Sequence, residues 1–127
     1  MANRTIEEES VLHEHSPGVI QNQEKVFRIL YKSMHFKNNK ILSTWFKFDE
    51  LKDRGSSINR DMYNGLFYAC KEARSKINSE NLEKNSADIM ETITEKIRVL
   101  ANENKRVFVV IDTAKAEDIS HGDIFLL

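Results

Sequence analysis

The sequence predicts an α+β fold: a small mixed or antiparallel sheet of about four strands, covered on one face by two amphipathic helices. Two observations carry this. Val26 to Tyr31, Val107 to Ile111 and Ile124 to Leu127 are short, dense apolar runs, rich in β-branched and aromatic side chains. Between the first and second of these, two longer stretches repeat apolar residues at helical spacing.

Taken in order, residues 1–22 show no apolar period. They hold the acidic run Glu7, Glu8, Glu9 and the single proline in Ser16-Pro17-Gly18, and are expected to form a flexible acidic tail. Residues 23–127 are expected to form a single α+β domain. Val26, Phe27, Ile29, Leu30 and Tyr31 predict a buried strand. Lys37-Asn38-Asn39-Lys40 reads as a turn before a second strand over Ile41 to Phe48. Asp49 to Asp53 fits one helical turn, stopped at Arg54-Gly55. Ser57 or Asn59 then caps a helix whose apolar stripe is Met62, Leu66, Cys70, Ala73 and Ile77, with Lys71, Glu72, Arg74 and Lys76 as its solvated face. Asn85 or Ser86 caps a second helix with Ile89, Ile93, Ile97 and Leu100 as its seam. The unalternated run Val107 to Ile111 predicts a strand buried on both faces, placed centrally in the sheet. Asp112 to Ser120 reads as a loop, and Gly122 to Leu127 as the last strand.

The chain has 127 residues, 40% hydrophobic and 31% charged, with 19 basic and 20 acidic side chains and a net charge of -1. A chain of this size buries a core without disulfides or a structural metal. No apolar run approaches the roughly 18 residues of a membrane span, and the N-terminus lacks the basic patch and apolar stretch of a secretory signal. No membrane association is expected on that ground, and Cys70, with no second cysteine to pair with, is in keeping with a cytoplasmic setting. Balanced charge argues against a general nucleic-acid binder. Four scattered glycines make neither a dinucleotide turn nor a phosphate loop, so no cofactor is expected. His13-Glu14-His15 offers two imidazoles where zinc needs at least three fixed ligands, so no metal is expected either.

One constellation remains for catalysis. Arg28, His35, Ser57, Arg60 and His121 lie at strands, strand ends or a helix start, where loops meet the sheet. Together they would bind a phosphate or carboxylate through the guanidinium groups while histidine moves protons. The competing reading is structural: Arg28 faces solvent, Ser57 is a cap, Arg60 pairs with Asp61 or another acid, and each histidine satisfies a carbonyl.

The succession Val26-x-Arg28, His35, Phe46 or Phe48, Leu51, Gly55-x-Ser57-x-x-Arg60 and His121-Gly122-Asp123-Ile124 resembles a group of small uncharacterised bacterial proteins. The resemblance spans about residues 25 to 124. In that pattern a leucine usually replaces Ser56, a proline stands shortly before the first histidine, and alanine replaces Gly122. The resemblance implies a bacterial origin and weight on Arg28, His35, Ser57, Arg60 and His121; it carries no activity.

The function expected from the sequence is a small bacterial protein-interaction module, such as a subunit of a defence assembly or an inhibitor or immunity protein. Its protein partner is expected to meet Trp45, Phe46, Phe48, Phe125 and Leu127, where aromatic and apolar bulk supplies hot spots. Self-association is compatible with the same surface. The alternative is a small metal-independent enzyme acting on a nucleotide, RNA or a nicotinamide cofactor through the His/Arg set. A transcriptional regulator has the least support, because about eight polar residues part the two helical stretches and neither has a basic face.

Overall fold

A computed structural model describes residues 4–31, 36–37, 40–41, 51, 55–79 and 87–127. In chain order the strands are β1 (Lys25–Tyr31), β2 (Phe36–Lys37), β3 (Lys40–Ile41), β4 (Ser56–Arg60), β5 (Ala87–Ile93), β6 (Ala101–Asn102), β7 (Lys105–Arg106), β8 (Phe108–Asp112) and β9 (His121–Leu126). Two α-helices, α1 (Gly65–Ser79) and α2 (Thr94–Arg98), and two 3₁₀ helices, Ile6–Ser10 and Asp61–Tyr63, complete the described elements. The main sheet is antiparallel throughout, in the order β5-β1-β4-β9-β8. The α+β class expected from the sequence is therefore present.

Several elements differ from the expectation. The central strand is β4, Ser-Ser-Ile-Asn-Arg, which holds one apolar residue and was read as a helix cap. Apolar β8, expected at the centre, is an edge strand. Its composition reflects burial of both faces, since Val109, Val110 and Ile111 are all buried. Residues 87–93 form β5 rather than a helix and pair with β1 along its whole length, from Lys25↔Ile93 to Tyr31↔Ala87. Branching at Cβ in Ile89, Thr92 and Ile93 favours the pleated backbone, and only Thr94–Arg98 winds into α2. Phe36 and Lys37 pair with Ile41 and Lys40, and the rest of the expected second strand lies outside the described residues.

Helix α1 forms where predicted, but with a shifted face inward. Ala73 of the expected stripe is buried, with Ala69 four residues before it, while Met62, Leu66 and Cys70 of that stripe are exposed. Small side chains let the helix approach β1 and β4 closely, so the larger apolar groups remain outside.

Alternation along the strands divides the core into two layers. One holds Ile20, Val26, Leu51, Ile58, Val110 and Ile124, with Ile97 of α2 packed on it. The other holds Val109, Ile111 and Phe125. Gly55 enters β4 at φ +81°, and a Cβ there would stand 2.8 Å from Asp123 Cβ and the Phe125 ring. Both the backbone and the space therefore require glycine.

The segment expected to be a flexible acidic tail packs against this sheet. Ile20 belongs to the core, and the Ser16 hydroxyl donates to Asp112. The tightest anchor is Arg60, whose side chain is 1% exposed. Its Nε and Nη2 donate to the two Glu24 carboxylate oxygens at 2.8 and 2.7 Å, a bidentate pair. Nη1 donates to the Gly18 carbonyl at 2.6 Å and Nη2 to that of Val19 at 3.2 Å. Asp112 Oδ1 lies 3.8 Å from Nη1, and the Tyr63 ring lies 4.7 Å from the guanidinium carbon.

Removing one partner of a buried ion pair strands the other charge, whereas an apolar replacement of both is far less costly. Arg60→Ala is expected to lower unfolding free energy by about 3–5 kcal/mol, and Arg60→Met combined with Glu24→Leu by clearly less. Urea unfolding checks both; a loss below about 1 kcal/mol for Arg60→Ala would remove the anchor role.

Candidate functional site

Strand periodicity gives β4 two chemically distinct faces. Ile58 and Arg60 turn to the first core layer, and Ser57 and Asn59 to the other side. Register sets Ser57 opposite Asp123 and Asn59 opposite His121 on β9. Thr113, just after β8, completes a compact polar cluster.

The donors can be assigned from their partners. The Thr113 hydroxyl donates to Asp123 Oδ2 at 2.6 Å. His121 Nδ1 lies 2.9 Å from Thr113 Oγ1 and 3.2 Å from the Thr113 carbonyl, which can only accept. Nδ1 therefore carries the ring proton. Nε2 lies 3.3 Å from Ser57 Oγ, which is itself 3.4 Å from Asp123 Oδ1. With Nδ1 protonated, Nε2 and Asp123 Oδ1 are two acceptors for the single Ser57 hydroxyl proton, and the approach to Nε2 is the relation a serine nucleophile needs from its base. Asp123 is at the same time 3.7 Å from Nδ1. Burial pushes the Asp123 carboxyl above its ordinary pKa; its electrostatic interaction with His121 and the Thr113 hydrogen bond oppose this without cancelling it.

A second polar group adjoins the first. Asn59 Nδ2 donates to Asp118 Oδ2 at 3.0 Å and to Ser120 Oγ at 2.9 Å, and the Ser120 backbone N–H donates to Asp118 Oδ1 at 2.9 Å. These bonds tie the 113–120 loop to the central strand. Lys115, Glu117 and Asp118 of that loop face Tyr68, Lys71, Glu72 and Ser75 of α1 across a shallow groove.

No protein-family model, curated protein or solved structure matches this chain. The site therefore has to be read from its own geometry.

Of the five residues expected to meet, the structure brings together Ser57 and His121. Arg60 is on the opposite face of β4, committed to Glu24 and two carbonyls, and does not join the cluster. Arg28 shares that face and lines an apolar cavity of about 270 Å³ with Val26, Met90, Ile97, Phe108 and Ile124. Its Nη1 donates to the Ser57 carbonyl at 3.0 Å, which touches the backbone of the site rather than its chemistry. His35 lies outside the described residues.

Among the expected partner-binding residues, Trp45, Phe46 and Phe48 also lie outside the described residues. Phe125 is buried, with the Arg4 guanidinium carbon 4.0 Å from its ring centroid, so it is core rather than contact surface. Leu127 is exposed. The reading of the sequence missed Asp123, Thr113, Asn59 and Asp118. The two-residue spacing of His121 and Asp123 on a strand was the available signal, since it puts both on one face.

A carboxyl whose folded pKa is raised contributes stability that is present at low pH and lost as pH rises through the folded value. Asp123→Asn is expected to remove that decline across the mildly acidic range, read as urea midpoints against pH. Superimposable profiles for the two proteins would show that Asp123 does not titrate anomalously.

Proposed function

We propose that the chain is a small protein-interaction module that docks through the outward side of α1. The observation carrying this reading is the exposure of Met62 (65%), Leu66 (47%) and Phe67 (63%) beside exposed Cys70. Exposed apolar groups matter when they are contiguous, and Leu66, Phe67 and Cys70 fall within about a 100° arc of α1, with Met62 on the 3₁₀ turn that precedes it. Lys71, Glu72 and Arg74 rim the patch with charge, the usual anatomy of a docking surface with an aromatic anchor. A subunit of a defence assembly, or an inhibitor or immunity protein, of bacterial and cytoplasmic setting, is the role this size and surface fit. No helix among the described residues is long and apolar enough to cross a membrane.

A second reading has its own observation. The 3.3 Å approach of His121 Nε2 to Ser57 Oγ supports a small metal-independent enzyme, with nucleotide, RNA or a nicotinamide cofactor as substrate class. Arg60 has no part in it.

The test pairs surface and site variants. Leu66→Asp with Phe67→Asp is expected to leave stability within about 0.5 kcal/mol and to abolish capture of a stoichiometric protein partner, while His121→Ala retains it. Equal capture by both variants would sink the docking face. Turnover of nucleotide or RNA by the unmutated chain, lost in His121→Ala, would install the second reading instead.

A further inference from the structure

We propose that the outer edge of β8 is a strand-addition surface held closed by the Ile6–Ser10 segment, and that the partner it fits is β8 of a second copy of this chain. An edge strand presents unpaired backbone groups that invite another strand, and proteins cover such edges. Here the cover is made of side chains. The Val110 N–H donates to Glu9 Oε2 at 2.8 Å, and the Val110 carbonyl accepts from Arg98 Nη2 at 2.9 Å. The Phe108 carbonyl accepts from Arg106 Nη2 at 2.9 Å. Arg98 Nε and Arg106 Nη2 also converge on the same Glu9 oxygen, at 2.8 and 2.7 Å. One carboxylate oxygen, with the two guanidinium groups it holds over the carbonyls, therefore occupies the place of a sixth strand, and release of Glu9 frees the N–H and loosens both arginines.

The cover is held by charge rather than by buried bulk. No residue of Ile6–Ser10 is buried. Burial pushes the Glu9 carboxyl up, but the hydrogen bonds from Arg106 and the Val110 N–H, together with the Arg98 charge, outweigh it and hold the pKa low. Residues 11–15 are exposed, whereas Ile20 and the Arg60 contacts to Gly18 and Val19 fix the chain beyond them. The segment can thus leave with the loss of one core contact, the Arg4 guanidinium over the Phe125 ring.

What the edge would accept follows from β8 itself. Both backbone groups of Val110 point outward, so two copies related by a two-fold axis at Val110 can exchange both bonds as one hydrogen-bonded antiparallel pair. Phe-Val-Val-Ile-Asp is apolar and β-branched, and such a pairing would set Val109 opposite Ile111 of the other copy, joining two five-stranded sheets into one. Arg98 and Arg106, freed of Glu9, would repel across the axis. The dimer should therefore tighten as salt rises, unlike one held by ion pairs.

Sedimentation velocity over a concentration series tests this on the full chain, Glu9→Ala, Glu9→Gln and a chain lacking residues 1–10, with circular dichroism confirming folding. The covered chain is expected to stay monomeric where the variants dimerise, with a dissociation constant lower by at least about tenfold, the worth of one charged hydrogen bond. Glu9→Gln keeps the shape of the cover and so stays informative if the shorter chain fails to fold. Folded, monomeric Glu9 variants over the same range would overturn the proposal. A dimer abolished by adding Leu66→Asp and Phe67→Asp would overturn it too, because the α1 face and not β8 would then be the contact.

Discussion

The buried pair between Arg60 and Glu24 is the constraint on which the rest of this structure depends. It joins the central strand to the chain that precedes β1, and through Gly18 and Val19 it fixes the path of the N-terminal segment. The Glu24 carbonyl in turn accepts from the Thr94 backbone N–H and hydroxyl, both at 2.9 Å, which starts α2 where β5 ends. A guanidinium in a sheet interior is tolerable only when each donor finds an acceptor, and the carboxylate and two carbonyls supply that fork. Such a pair contributes little net stability against an apolar alternative; its effect is to specify one arrangement of four chain segments.

This pair also explains how a polar strand can sit in the middle of the sheet. Arg60 is compensated on one face, while Ser57 and Asn59 are compensated on the other by His121, Asp123, Asp118 and Ser120. The described residues among those weighted by the resemblance, Arg28, Ser57, Arg60 and His121, thus fall on neighbouring strands for two different reasons. Arg28 and Arg60 turn toward the first core layer, and Ser57 and His121 toward the polar cluster. Proximity in the sheet and convergence in a site are separate properties, and alternation along β4 divides them.

What the sequence revealed follows the same physics. β1, β8 and β9 were legible because both of their faces carry apolar side chains. β4 was not, because four of its five residues are polar and the partners of Ser57, Asn59 and Arg60 arrive from residues 18–24 and 118–123, beyond the reach of any local pattern. Ile89, Ile93 and Ile97 recur every four residues, which suits a helix face and equally one side of a strand; pairing with β1 decided between them. In α1 the helical period was right and Ala73 is buried as expected, but close packing put Ala69 beside it in place of the larger Met62 and Leu66. The acidic run looked like a solvated tail because the arginines that receive Glu9 lie 89 and 97 positions away. Within the candidate site, His121 and Ser57 were visible as residue types, but their contact depended on the β4–β9 register.

The strand order has a consequence for how the molecule is assembled in time. Within the five-stranded sheet only β8 and β9 are both adjacent in space and consecutive in sequence. Every other pairing must close a long loop before its contacts are rewarded, and the entropy of that closure slows the search. The β8–β9 hairpin is the segment able to form by local closure, and it carries an apolar edge strand, while the cover at Ile6–Ser10, which precedes it in the chain, docks only once β8 is in place. The interval between hairpin formation and docking of Glu9 is thus the period in which this chain is most open to pairing with another molecule.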